Sequence, residues 1–175
     1  LHIRHVPGGA FTGYVFEKLK RGDRLKLEVP FGDFTLREGG KPILFVAGST
    51  GFAPIKSIIE DMFIKNIRRA MTLYWGARTM GGLYSELPSR WAAENPHFKF
   101  VPVISDAPEP GIRHNLVHKA VLEDHPRLGD YEAYVCGVPV MTQAAQREFI
   151  AAGLAEDAFF ADAFVTRAEV ASAGP

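Results

Sequence analysis

The stretch Pro42-Ile-Leu-Phe-Val-Ala-Gly-Ser-Thr-Gly-Phe-Ala-Pro54 decides the fold of this chain. Ile43–Ala47 is a continuous apolar run bounded by turn residues, the pattern of a strand buried on both faces. It feeds directly into Gly48-Ser49-Thr50-Gly51 and then into an amphipathic helix predicted over Ala53–Lys65. This order leaves unpaired backbone N–H groups at a helix start, which attract anions such as phosphate. Gly48 and Gly51 permit a tight turn and a close approach of ligand to backbone. Pro54 falls in the first helical turn, where its missing N–H costs nothing. A second segment, Tyr134-Val-Cys-Gly-Val-Pro-Val-Met141, repeats the strand–turn–helix plan nearer the C-terminus.

Working outward, further strands are predicted at Thr72–Gly76, Lys99–Ile104, Ala133–Cys136 and Phe159–Ala161. Helices are predicted at Glu86–Glu94, Leu116–Asp124 and Val140–Ala152. Apolar strands alternating with helices imply an α/β fold, a doubly wound five-stranded parallel sheet covered on both faces. In such sheets ligands bind beyond the carboxyl ends of the strands. Gly48–Gly51, Gly76–Arg78, Ser105-Asp106 and Gly137–Pro139 all fall at those ends.

The first forty residues read differently. Leu1–Val6 and Arg24–Pro30 alternate apolar and polar residues and are expected as half-buried strands. Between them Pro7-Gly8-Gly9 leads into a helix carrying Tyr14, Val15, Phe16 and Leu19, ended by Gly22-Asp23. Phe31–Phe34 reads as a turn, Thr35-Leu36 as a short strand, and Arg37-Glu-Gly-Gly-Lys41 as a linker. The expected organisation is an N-terminal domain over 1–38, a nucleotide-binding domain over 42–167 and a frayed tail over 168–175. Starting within a strand pattern and without Met, the chain reads as either processed or a fragment of something longer.

Composition narrows the function classes. Twenty basic and twenty acidic residues balance, with no long basic run, against sequence-independent nucleic-acid binding. The single cysteine, Cys136, excludes an intrachain disulfide and a cysteine-ligated iron–sulfur cluster within these residues. No apolar stretch approaches the ~20 residues of a membrane span, and Leu1-His-Ile-Arg-His-Val6 is unlike a secretory signal. A reduced, cytoplasmic setting is the expectation. No metal-ligand set is apparent: His114 and His118 lack the glutamate of a zinc-hydrolase motif and read as a solvated pair. Lys65-Asn-Ile-Arg-Arg69 reads as a basic surface patch at a helix end.

Ala-Gly-Ser-Thr-Gly-Phe-Ala-Pro54 combined with Cys136-Gly-Val-Pro-Val-Met141 resembles the nicotinamide-binding lobe of the ferredoxin–NADP reductase superfamily. It is most similar to the branch of flavin-dependent electron-transfer components that includes oxygenase reductases and the reductase of dideoxyhexose synthesis. Leu1–Thr12, Gly22-Asp23, Pro30–Phe34, Tyr74-Trp-Gly-Ala-Arg78 and Phe159–Phe164 resemble the same branch, so the likeness covers nearly the whole chain. It implies that residues 1–38 are the last part of an antiparallel flavin-binding β-barrel. It further implies that Gly48, Ser49, Thr50, Gly51 and Pro54 hold the dinucleotide of NADH or NADPH, and that Gly76, Ala77 and Arg78 meet the adenosine half. Cys136 and Gly137 would lie against the nicotinamide, with Pro139 and Met141 supporting the turn; Thr50 and Cys136 would shape the reactive pocket. Gly9, Ala10, Phe11 and Thr12 would form a loop for the FAD pyrophosphate, with Phe164, and Phe160 beside it, near the flavin. The branch's Arg-x-Tyr-Ser flavin signature does not occur in this sequence. The implied activity is hydride transfer from NAD(P)H to FAD, followed by electron transfer to a [2Fe-2S] ferredoxin domain or an oxygenase outside this chain.

The residues taken singly leave alternatives open. Arg78 reads equally as a solvated loop arginine, Cys136 as a small buried hydrophobe, Thr12 as an N-cap and Phe160 as core. Arg78 with Thr79 suits a 2′-phosphate, whereas an acid such as Glu86 near the ribose suits NADH; the branch leans to NADH. Two other functions compete. One is a nucleotide-binding module without catalysis. The other is a serine hydrolase, with Ala47-Gly-Ser49-Thr-Gly51 as a relaxed nucleophile elbow and Asp106 or Asp162 with His118 as partners.

Overall fold

The computed structural model describes residues 1–29 and 31–165. The chain divides into two compact units, Leu1–Asp33 and Phe34–Pro175. The division falls before the Arg37–Lys41 stretch, because Phe34 and Leu36 already pack on the core of the second unit.

The second unit is an α/β sandwich. Its strands are β1 (Ile43–Gly48), β2 (Met71–Ala77), β3 (Phe98–Ile104), β4 (Arg113–His114), β5 (Glu132–Gly137) and β6 (Phe159–Ala163). They form one sheet of six strands in the order β4-β3-β2-β1-β5-β6, every pairing parallel. Five of these are the strands expected from the sequence. The sixth, β4, is two residues long, too short to show a periodicity, and exists through its register with Val103 and Ile104.

Helices α2 (Phe52–Ile64), α3 (Leu87–Glu94), α4 (Val117–Asp124) and α5 (Pro139–Ala151) connect the strands, each within a residue of its expected bounds. Alternation along β1 sorts the core into two layers. Ile43, Phe45 and Ala47 face α2 and α3, meeting Phe52, Ile55, Ile59 and Trp91. Leu44 and Val46 face α4 and α5, meeting Val117, Val121, Ala145 and Phe149. Both faces of the sheet are therefore covered, as a continuous apolar strand requires.

Polar pairing closes the amino-terminal edge of the sheet. Arg69 is buried, not part of an exposed basic patch: it pairs with Glu132 at 2.9 Å and donates from Nε to the Lys41 carbonyl at 2.8 Å. It also reaches the Arg37 carbonyl at 3.3 Å, so the expected linker is bound down at both ends. The Arg37 N–H donates to the Tyr134 hydroxyl at 2.9 Å.

The first unit contains one helix, α1 (Ala10–Glu17), none of whose residues is buried. The expected strands at Leu1–Val6 and Arg24–Pro30 are not formed among the described residues, nor is one at Thr35-Leu36. A strand exists through its ladder, and alternation alone supplies no partner. Leu25, Leu27 and Val29 are left exposed. Pro30 and the expected tail 168–175 lie outside the described residues.

Candidate nucleotide-binding site

The strand order reverses between β1 and β5: from β1 the chain winds outward through β2, β3 and β4, then returns to β1's other side with β5 and β6. Such a switch point opens a crevice at the carboxyl ends of the two strands. Both glycine turns singled out in the sequence stand there. A 3-10 turn over Ser49–Gly51 leads from β1 into α2, while β5 leads through Val138 into α5 with Pro139 at its start.

Glycine is required by contact, not only by turn geometry. A Cβ on Gly51 would overlap the Cys136 carbonyl oxygen. One on Gly48 would come within 2.7 Å of Met141 Sδ, and one on Gly137 within 2.7 Å of Met141 Cε. The Met141 side chain thus wedges against both strand ends. Ala47 and Cys136 are register partners across the β1–β5 ladder. Gly76 sits against Val117 of α4, where a Cβ would meet the valine Cβ at 2.7 Å.

Ser49 adopts φ 52°, the left-handed region that L residues rarely enter. Its carbonyl accepts a hydrogen bond from the Trp75 indole N–H at 2.9 Å. Trp75 is fully buried, stacked on Phe52 with centroids 4.2 Å apart and met edge-on by Tyr84 at 5.0 Å. Burial pushes the Tyr84 hydroxyl up to about 12. This aromatic support under the turn was not among the expected site residues; an indole directly preceding Gly76-Ala77-Arg78 was its only signal in the sequence.

Cys136 is fully buried. Burial first, and then the Asp162 carboxylate, push its thiol pKa up, so the sulfur stays protonated and is not a nucleophile. Asp162 is its register partner on β6, and burial raises that carboxyl too. Beyond β2, Arg78 extends into solvent with its side chain 85% exposed and donates from Nε to both carboxylate oxygens of Asp106, at 3.0 and 3.2 Å. The Asp106 and Ser105 N–H groups donate to the carbonyls of Arg78 and Ala77 at 3.0 and 3.1 Å. Arg78 is therefore exposed yet tethered.

Phe160 lies against Tyr134, centroids 4.7 Å apart, with the Arg37 guanidinium 5.5 Å from its ring centre. Phe164 is partly exposed and donates its backbone N–H to the Gly137 carbonyl at 2.8 Å. Gly9–Thr12 belong to the first unit, where Gly9 is the N-cap of α1. Thr12 is not a cap: its hydroxyl accepts from the Val6 N–H and donates to the Val6 carbonyl, both at 3.1 Å. His114 and His118 are not a solvated pair, since His118 is buried with Nε2 3.7 Å from Glu148 of α5. His118 faces Glu148, and no hydrogen bond joins it to Ser49 among the described residues, so the hydrolase constellation does not assemble. No helix among the described residues is long and apolar enough to cross a membrane.

The glycines at 48, 51 and 137 let the two turns and Met141 pack together at the edge where α2 starts, the kind of helix start that suits an anion. Residues 45–147 match the family of oxidoreductase NAD-binding domains. A CDP-6-deoxy-L-threo-D-glycero-4-hexulose-3-dehydrase reductase of Yersinia pestis is 44% identical over 167 residues, spanning 94% of this chain and 50% of that protein. Terephthalate 1,2-dioxygenase reductase component 2 of a Comamonas species is 40% identical over 172 residues, 95% of this chain and 50% of that one. The crystal structure of the Amycolatopsis cytochrome P450 reductase GcoB matches with a TM-score of 0.90 at 34% identity, over 95% of this chain and 52% of that chain. The chain spans about half the length of these relatives. It belongs to the family of oxidoreductase NAD-binding domains, in their ferredoxin–NADP reductase-like form.

Proposed function

We propose that this chain supplies the NAD(P)H-binding half of a flavin-dependent reductase. The activity is hydride transfer from the nicotinamide to FAD, with electrons passed on to an acceptor such as a [2Fe-2S] ferredoxin domain or an oxygenase. The observation that carries this reading is the meeting of the two glycine turns at the β1–β5 switch point, Gly51 against the Cys136 carbonyl. The named relatives, reductase components of oxygenase and sugar-modifying systems, support the same class.

Each residue then has a physical task. Thr50 and Gly51 present backbone N–H groups at the start of α2 to the pyrophosphate. Gly48 and Gly137 leave room for the Met141 side chain, which packs against both strand ends and supports the turns. Cys136, buried behind the β5 turn with its thiol neutral, would support the nicotinamide end of the site from beneath. Gly76, Ala77 and Arg78 line the route toward β2 for the adenosine half. FAD, when bound, would supply the hydride acceptor and the one-electron donor. Within the first unit, Gly9–Thr12 at the start of α1 are the residues assigned to the flavin pyrophosphate.

Isothermal calorimetry with NADH and NADPH, in the presence and absence of FAD, tests the proposal. Saturable binding of a nicotinamide nucleotide with one-to-one stoichiometry is expected, and a gain on adding FAD would show that the chain also takes up flavin. Absence of binding to either nucleotide overturns the reading.

A further inference from the structure

We propose that Trp75 is a positioning residue for the nucleotide: through its indole N–H it holds the strained Ser49 peptide so that the Thr50 N–H faces the crevice. The inference rests on the nucleotide-binding reading above. Trp75 lies in β2, not in the binding turn, and is fully buried, so its indole N–H must find an acceptor within the protein. That acceptor is the Ser49 carbonyl at 2.9 Å. The same carbonyl also accepts from the Phe52 N–H, which closes the 3-10 turn.

Ser49 holds φ 52°, a conformation that disfavours any residue with a Cβ and persists only where its surroundings enforce it. The peptide plane supplies the functional link. In a trans peptide the carbonyl and the following N–H point in opposite directions. Turning the Ser49 carbonyl inward onto the indole therefore turns the Thr50 N–H outward, away from β2. Phe52, stacked on the indole at 4.2 Å, and Tyr84, edge-on at 5.0 Å, fix the ring plane that aims the donor.

A double-mutant cycle on NADH affinity separates this role from ordinary core packing. Trp75→Phe keeps an aromatic ring on Phe52 while removing the donor and one ring of the indole. Loss of the donor should weaken NADH binding about five- to tenfold, the worth of one buried hydrogen bond. The packing loss falls equally on both backgrounds of the cycle. Glycine adopts the left-handed conformation without cost, so the turn carrying Ser49→Gly no longer depends on the indole. In that background Trp75→Phe should weaken binding less than about twofold, a non-additivity expected of directly coupled residues. Equal losses in both backgrounds, or no loss from Trp75→Phe alone, would overturn the inference while leaving nucleotide binding intact. A second readout needs no variant: the Trp75 indole proton resonance should shift as NADH saturates the native chain, and an unmoved resonance overturns the role. If the native chain binds no nucleotide, both this inference and the functional proposal fall.

Discussion

Gly51 lies so close to the Cys136 carbonyl that any side chain there must displace one of the two turns. The obstructing atom is backbone, which cannot rotate aside as a side-chain tip can. Gly51→Ala is expected to lower the unfolding free energy by about 1–3 kcal/mol, as overpacking does elsewhere, and to abolish nucleotide binding by prising the turns apart. Urea unfolding paired with calorimetry checks both halves. A variant with native stability and native affinity would show that the two turns do not meet as described. Gly48 and Gly137 differ in kind, because their neighbour is the flexible end of Met141; alanine at either should be the milder change.

Two ion pairs at opposite ends of the sheet behave as different elements. Arg69 and Glu132 are nearly buried, side chains 7% and 11% exposed, and the guanidinium also holds the carbonyls that precede β1. Arg69→Met leaves the Glu132 carboxylate without its cation, and the expected loss is about 3–5 kcal/mol of stability. Adding Glu132→Gln should restore part of that loss, measurable by thermal unfolding of the two single variants and the double. The Arg78–Asp106 pair, between the ends of β2 and β3, is open to solvent and contributes little to stability. Its consequence is for binding: a carboxylate 3.0 Å from the arginine opposes a 2′-phosphate brought to the same place. Asp106→Asn is expected to raise NADPH affinity relative to NADH by about three- to tenfold at low ionic strength, less in salt. An unchanged ratio would place the adenosine ribose elsewhere.

For the whole molecule, acid stability follows from groups at the α4 helix and its neighbours. Burial pushes the Asp124 carboxyl up, but hydrogen bonds from Arg113 and Tyr74, both 2.8 Å, outweigh it and hold the pKa below 3.8. Lys119 holds Glu148 below its ordinary 4.5. Both carboxylates are depressed on folding, so their stabilisation is complete above those values and is lost as pH falls through the lower native ones. His118 adds an earlier step. Its burial disfavours the cation and lowers its pKa from 6.5, so the unfolded chain takes up the proton first and stability declines below about pH 6.5. Thermal unfolding from pH 7 to pH 3 should therefore show a shallow fall and then a steeper one. His118→Gln should flatten the first, and Asp124→Asn should remove part of the second; a His118→Gln profile identical to the native one would refute the buried neutral imidazole.

Local pattern was enough for much of this. The apolar run Ile43–Ala47, the glycines after it and the prolines at positions 54 and 139 specify strand, turn and helix through short-range sterics and hydrogen bonding alone, so those elements fall within a residue of expectation. Glycine at 48, 51 and 137 also marked where the two turns pack together, because only an absent side chain allows such approaches. Alternation in Leu1–Val6 and Arg24–Pro30 predicts strands that are not formed among the described residues, since alternation describes a face and not a partner. Pairing across distance was equally hidden: Arg69 with Glu132, buried His118 facing Glu148, and the Trp75 indole under Ser49 join residues far apart in the chain. Above all, the order β4-β3-β2-β1-β5-β6 follows from which helix packs on which face. That packing is a free-energy balance over the whole sheet, and it alone sets the two glycine turns side by side across one crevice.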